Sequence, residues 1–319
     1  MRYYCTHFDI NYIAHALSLN ESLIKCGGEF TLFMFCMDDD SYDHLVKFKP
    51  VKAILVSYRE LEIEVRGLRE AKGNRSRIEY FYTCSPAICY YTFIKFEGVD
   101  LITYLDSDIY FFNSPESLFI ELGNSSIGII EHNFHWLTKR NIVYGKFNVG
   151  WINFRKDEIG LICLKNWLND CIKWCYQRLE DNKYADQKYL DYWPCTYDNV
   201  CILKKVTANL AIWNIGNYKL TCNENQIFVN GEELIFYHFA NLKQIGEVEF
   251  TSDLSRVFVK STQLIHNLIY LPYVNSLLKH QLYKIRSKAD LSETFLISLI
   301  KKPSRQIRKW IFPDKIIVK

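Results

Sequence analysis

The stretch LITYLDSDIYFF, residues 101–112, decides the fold. Leu101, Ile102, Tyr104 and Leu105 form the aliphatic and aromatic surface of a covered strand, and Ile109, Tyr110, Phe111 and Phe112 extend it. Asp106 and Asp108 contradict it. An unpaired charge is costly to bury, so the pair stands at a strand end, a partner neutralises it, or both.

Working outward, RYYCTHF reads as a strand, YIAHALSLNESLIKCG as a helix with a Gly stop, and FTLFMFCMD as a second strand. SYDHLVKFK is a short helix and VKAILVSY a third strand. RIEYFYTCSPAICYYTFIKF is a long helical pattern that Pro86 should break or restart. Strands alternating with helices, the strands apolar almost throughout, imply an α/β fold: a mainly parallel sheet covered by helices. Further on, SSIGIIEH and FNVGWINFR read as strands flanking a loop at 133–146. GLICLKNWLNDCIKWCYQRL is an amphipathic helix, ADQKYLDYW opens another, and ELIFYHFAN holds a late strand. Between Lys279 and Lys319 eleven Lys and Arg face three Asp and Glu, interleaved with apolar residues.

At 319 residues the chain can bury a large core, and a net charge of only +3 argues against a general nucleic-acid binder. Eleven cysteines without paired C-x-x-C spacing, and no visible secretory signal, read as free and mostly buried thiols. No run of apolar residues approaches a membrane span. The expected location is cytoplasmic.

In an open α/β sheet, ligands bind beyond the carboxyl ends of the strands, where Asp106 and Asp108 fall. Two hard carboxylates there suit Mg²⁺ or Mn²⁺, and such a cation can hold a diphosphate. The bland alternative is a strand-end turn whose carboxylates face water. Seven blocks in order carry a resemblance to the GT-A nucleotide-diphospho-sugar transferases, close to the bacterial proteins of glycosyltransferase family eight. They are CTHFDINYI (5–13), RSRIEYFYTCSP (75–86), ITYLDSDIYFF (102–112), IIEHNF (129–134), KFNVGWINFRKDE (146–158), ADQKYLDYWP (185–194) and LIFYHFANL (234–242).

The resemblance implies a GT-A catalytic domain over 1–250, and the change of character near residue 252 sets off a helical, basic extension over 251–319. It implies a Mn²⁺ or Mg²⁺ ion held by Asp106, Asp108 and His238, with Ser107 beside the donor. A lone His such as His238 can equally be a core histidine satisfied by backbone. Thr6, His7, Phe8 and Asp9 fall where the family seats the nucleotide, with Phe8 or Tyr12 stacking on the base; Asp9 can also cap the following helix. Arg77, and less so Arg75, would reach the diphosphate or donor sugar. Asn148 and Gly150 match the strand lining the sugar pocket. Asp186 and Gln187 match the motif at the reacting face of the sugar, and Glu131 and His132 fall towards the acceptor.

One departure stands out. The family carries Gly and a Lys-Pro-Trp motif after the late histidine, whereas this chain has HFANLKQIG, so Lys243 is the nearest equivalent. The implied activity is metal-dependent transfer of a sugar from a nucleotide-diphosphate donor, a UDP-sugar, to a saccharide or lipid-linked acceptor in surface glycan synthesis. The block at Asp186 and Gln187 leans towards retention, whereas inversion would need Glu131 or Asp186 as a base near the acceptor. The basic tail would rest on the inner, anionic face of the cell membrane, or pack as helices on the catalytic domain. A nucleotidyltransferase is disfavoured because THFDINY lacks a Gly-rich phosphate loop. A non-catalytic saccharide-binding or scaffold subunit of a glycan assembly complex is the alternative from another class.

Overall fold

The computed structural model describes residues 1–26, 28–281 and 314–318. Its first half alternates as the pattern implies. Strands β1 (Arg2–Phe8), β2 (Phe30–Cys36), β3 (Ala53–Ser57) and β4 (Leu101–Leu105) are separated by helices α1 (Ile13–Cys26), α2 (Asp39–Phe48), α3 (Tyr58–Glu64), α4 (Leu68–Gly73) and α5 (Arg77–Lys95). Then follow β5 (Ile109–Phe111), α6 (Glu116–Leu122), β6 (Ile127–Glu131), β7 (Phe147–Arg155), α7 (Glu158–Lys173), α8 (Trp193–Thr196) and β8 (Val200–Leu203). Short strands complete the described chain: β9 (Leu210–Ala211), β10 (Leu220–Asn223), β11 (Gln226–Val229), β12 (Glu232–Glu233), β13 (Phe236–His238), β14 (Lys243–Gln244) and β15 (Glu249–Thr251). Helix α9 (Leu271–His280) and strand β16 (Lys315–Ile317) follow.

The main sheet has seven strands in the order β3-β2-β1-β4-β7-β6-β8. All its pairings are parallel except those of β7, which runs antiparallel to both neighbours. Chain progress reverses between β1 and β4, because β2 and β3 lie to one side and the later strands to the other. That is the switch point at which a crevice opens beyond the strand ends. The strands are apolar on both faces because both are covered. Phe33 and Phe35 join the core under α5 and α7, while Leu32 and Met34 join the core under α1 and α6.

Three differences from the sequence reading have physical causes. Helix α5 runs through Pro86 unbroken. An interior proline costs about 3 kcal/mol, but α5 buries eleven residues and starts on a capping box between Ser76 and Glu79, which outweigh one lost backbone bond. Helix α7 stops at Lys173, because Trp174 turns to an extended backbone. The 185–194 segment is a 3₁₀ turn at 188–192 running into the short α8, not a regular helix.

Helix α9 packs on α1, and β16 pairs with β15. Most of the basic tail, residues 282–313 and 319, lies outside the described residues, as does any membrane role for it. No described helix is long and apolar enough to cross a membrane. All eleven cysteines are free thiols, as expected.

Strand β7 couples the main sheet to what lies above it. Trp151, fully buried, stacks on Phe236 of β13, and its indole N–H donates to Asn153 Oδ1 at 2.8 Å. Asn153 in turn donates to Thr103 Oγ1 at 2.7 Å. Trp151→Phe removes the donor from a buried carbonyl and leaves unfilled space, so it should destabilise by at least about 1–3 kcal/mol. Urea unfolding, with a lowered midpoint at unchanged slope, measures this.

Candidate active site

The chain leaves the main sheet at the opening motif. After β4 ends at Leu105, Asp106–Asp108 make a turn in which Ile109 N–H donates to Asp106 C=O at 3.3 Å. Strand β5 then pairs with β13 instead of the main sheet, with Ile109 opposite His238. The Phe239 N–H donates to the Asp108 carbonyl at 2.9 Å. This pairing brings His238, 130 residues further along the chain (238 − 108), against the acidic pair.

His238 Nε2 lies 3.0 Å from Asp108 Oδ1 and 3.6 Å from Asp106 Oδ2. One ligand atom from each residue lies within 4.8 Å of the others. Neighbouring octahedral ligands at about 2.1 Å from a cation stand about 3 Å apart, so the spacing fits a small divalent ion. Two carboxylate oxygens and an imidazole suit Mn²⁺ or Mg²⁺, and three protein ligands would leave further positions of an octahedral ion open. The carboxylates keep 31% and 21% of their side chains exposed, so the site opens to the crevice, while His238 is buried.

The tautomer of His238 follows from its neighbours. Asn148 Oδ1 accepts from the Gly150 N–H at 3.0 Å and faces His238 Nδ1 at 3.3 Å, so Nδ1 carries the hydrogen and Nε2 points at the carboxylates. Asn148 Nδ2 donates to His132 Nε2 at 3.2 Å, and His132 Nδ1 donates to the Lys146 carbonyl at 3.1 Å. Such second contacts orient a ligating histidine. An irregularity between β6 and β7, which pairs Ile129 with Ile152 but Ile130 with Asn148, sets this corner. A Cβ at Gly150 would lie 2.8 Å from His238 ring atoms. Asn148 and Gly150 therefore act first on His238.

Charge follows the geometry. Burial works to lower the His238 pKa, but the Asp108 carboxylate, then Asp106, raise it above its ordinary value. Burial pushes the Asp106 carboxyl up, only partly opposed by His238. For Asp108 the upward push of burial is outweighed by His238 and His15, and its pKa is lowered. Tyr104 donates to Asp106 Oδ1 at 2.8 Å. Asp186 is buried on the same side, where burial raises its pKa to about 7; the Ser85 hydroxyl opposes the rise and Asp106 adds to it.

The other candidates divide. Tyr12 is half exposed and stacks on His15, whose ring is held by Tyr273 at 2.6 Å, leaving one face of Tyr12 open at the crevice. Phe8, by contrast, is 1% exposed in the core and offers no face to a base, a correction to the pair considered from sequence. Thr6 is fully buried, and Ser107 lies nearly buried in the turn. His7 donates to the Phe81 carbonyl at 3.0 Å, and burial lowers its pKa to about 4, so the ring is neutral. Asp9 accepts from the backbone of Asn11 and Tyr12 within the turn that precedes α1, not as the N-cap the sequence suggested, and pairs with Arg77 at 2.5 Å. Arg77, more than half exposed, also reaches Asp38 at 3.2 Å. Arg75 is turned away, donating to the Cys171 and Ile172 carbonyls.

Gln187 donates to the Tyr144 carbonyl at 3.2 Å and packs on Gly145, closing the 133–146 loop. Glu131 lies between Lys146 and Lys204, at 3.2 and 3.4 Å. Lys243 is exposed on β14, and no hydrogen bond or ion pair joins it to the acidic pair among the described residues. Tyr104, Ser85, His15 and Tyr273 escaped the sequence reading. The signal for Tyr104 was its hydroxyl, which a buried tyrosine must satisfy.

No family model matches the chain. It is 27% identical over 292 residues to the uncharacterized protein YfnD of Bacillus subtilis (strain 168), covering 89% of this chain and 91% of that one. It is 28% identical over 263 residues to the uncharacterized protein YfnF of the same organism, with 79% and 86% covered. Among solved structures it superposes on galactosyltransferase LgtC in complex with donor and acceptor sugar analogues, with TM-score 0.52, 14% identity, and 90% of this chain and 99% of that one covered. An active-site mutant of LgtC gives TM-score 0.50 at 12% identity, with 91% and 99% covered. The fold is GT-A. In this GT-A chain the acidic pair and His238 lie beyond the β4 end, at the switch point of the sheet.

Two measurements test this arrangement. Asn148→Ala frees the His238 ring and should weaken Mn²⁺ binding about 10–100-fold by calorimetry; unchanged affinity would detach Asn148 from the site. In the metal-free protein the Asp186 carboxyl, protonated at low pH, should ionise near pH 7 by carbon-13 NMR, and Ser85→Ala should move that midpoint higher. Because the folded protein holds this proton and the unfolded chain does not, the group's contribution to stability falls as pH rises from about 4 to 7.

Proposed function

We propose that the protein is a metal-dependent glycosyltransferase, close to family eight, that moves a sugar from a UDP-sugar to a saccharide or lipid-linked acceptor. The observation that carries this reading is the convergence of Asp106, Asp108 and His238 at the switch point of a GT-A sheet. A diphosphate donor needs a cation there, and these three side chains suit one. The LgtC structure with donor and acceptor analogues, alike in fold, supports the same use of this edge.

Each residue has a task. Asp106, Asp108 and His238 hold Mn²⁺ or Mg²⁺, and the ion, when bound, offsets the charge that gathers on the departing diphosphate. The open face of Tyr12 stacks on the base, and Arg77, steadied by Asp9 and Asp38, reaches for the phosphates. Asp186, ionised above about pH 7, sets a negative charge opposite the cationic anomeric carbon, consistent with retention. Gln187 holds the loop that closes over the sugar.

Titrating UDP calorimetrically into wild type and Asp108→Ala, with and without Mn²⁺, tests the reading. Binding is expected only when both Mn²⁺ and Asp108 are present. Equal binding in all four cases would remove the cation from the mechanism, and no binding in any would overturn the UDP-sugar donor.

A further inference from the structure

A cavity of about 400 Å³ opens beyond the carboxyl ends of β6 and β8, at the same edge of the sheet as Asp106 and Asp108. Glu131, Lys139, Lys146 and Lys204 line it with Phe134 and Tyr218. Two inter-strand steps separate β4 from β6, about 10 Å at ~4.8 Å each. The two sites share a wall. His132 stacks flat on Phe134 at 4.5 Å and reaches His238 through Asn148. Lys146, whose side chain enters the cavity, has its carbonyl held by His132 and its N–H bonded to Asp191 Oδ1 at 2.7 Å.

The cavity carries an unbalanced charge. Three ammonium groups face one carboxylate, a surplus of +2 (3 − 1). Glu131 is shared by Lys146 and Lys204, while Lys139 has no ion-pair partner among the described residues. The two pairs involve lysines with 47% and 68% of their side chains exposed. Pairs so exposed contribute about 0–1 kcal/mol, so an incoming anion can exchange with Glu131 at little loss. Phe134 and Tyr218 add apolar faces of the kind on which sugar rings lie.

We propose that this cavity is the acceptor site and that it takes an anionic saccharide, one bearing a phosphate or a carboxylate. Resting on the glycosyl-transfer reading, it names the acceptor class. The lysines grip the charged group, the aromatic faces carry the ring, and the hydroxyl to be glycosylated points across the His132 wall towards the donor.

The test uses the full chain with UDP and Mn²⁺ saturating, so that the donor site is filled. Glucose, glucuronic acid and glucose 6-phosphate are titrated into wild type and into Lys139→Glu/Lys204→Glu, read by saturation-transfer NMR. Both charged sugars should bind wild type at least about tenfold more tightly than glucose, and the double variant should lose that preference. A preference for one charged sugar alone names the anion as carboxylate or phosphate, and its loss in the variant supports the site equally. No preference in wild type, or one that survives the charge reversal, overturns the proposal. The UDP titration on the same samples separates the two failures. UDP binding without a charge preference sinks only the acceptor class, whereas absent UDP binding sinks the acceptor assignment together with the transferase reading.

Discussion

Two carboxylates one residue apart, at the end of a strand covered on both faces, must be solvated or neutralised, and the rest of this molecule is arranged around that requirement. The chain turns out of the main sheet at Asp106, so the pair faces the crevice and keeps a quarter or so of its surface wet. The departing strand β5 then pairs with β13, which delivers the His238 ring to the pair. The Asp108 and Asp106 carboxylates raise the His238 pKa against the pull of burial, so a cation or a proton on His238 can satisfy the cluster. Binding a metal would displace it, coupling affinity to pH.

The pairing reaches beyond the site. Strand β13 stacks Phe236 on Trp151, so the small sheet that carries His238 is bolted to the centre of the large one. Strand β7, which runs against its neighbours, brings Asn148 and Gly150 to the same corner by its irregular register with β6. Backbone pairing and side-chain orientation thus come from different strands. His238 is placed by β13 and aimed by β7.

Much of the fold was legible because strands buried on both faces leave a clear mark, long apolar runs, whether they pair parallel or, like β7, antiparallel. The strands at FTLFMFC and FNVGWINFR fall where their pattern puts them. Pro86 misled because local propensity is small beside the burial of eleven residues of α5. The acidic pair was read from its place at a strand end and His238 was added by the resemblance, and the structure draws them together. Tyr104, Ser85, and the pairing of His15 with Tyr273 were not read, since nothing in their spacing marks them. Phe8 reads like Tyr12 in sequence, both aromatic and close to the strand end. Alternation along β1 turns Phe8 into the core, while Tyr12 lies past the strand with one face free.

The sequence alone determined that this is an α/β chain with a carboxylate pair at a strand end, because hydrophobic period and charge cost are local properties of consecutive residues. Which histidine meets that pair, which nitrogen it offers, and which lysines gather around Glu131 were decided only by tertiary structure. Those outcomes depend on strand order and register, which bring residues 106, 148 and 238 to one point, and loop closure over such distances leaves no trace in local pattern.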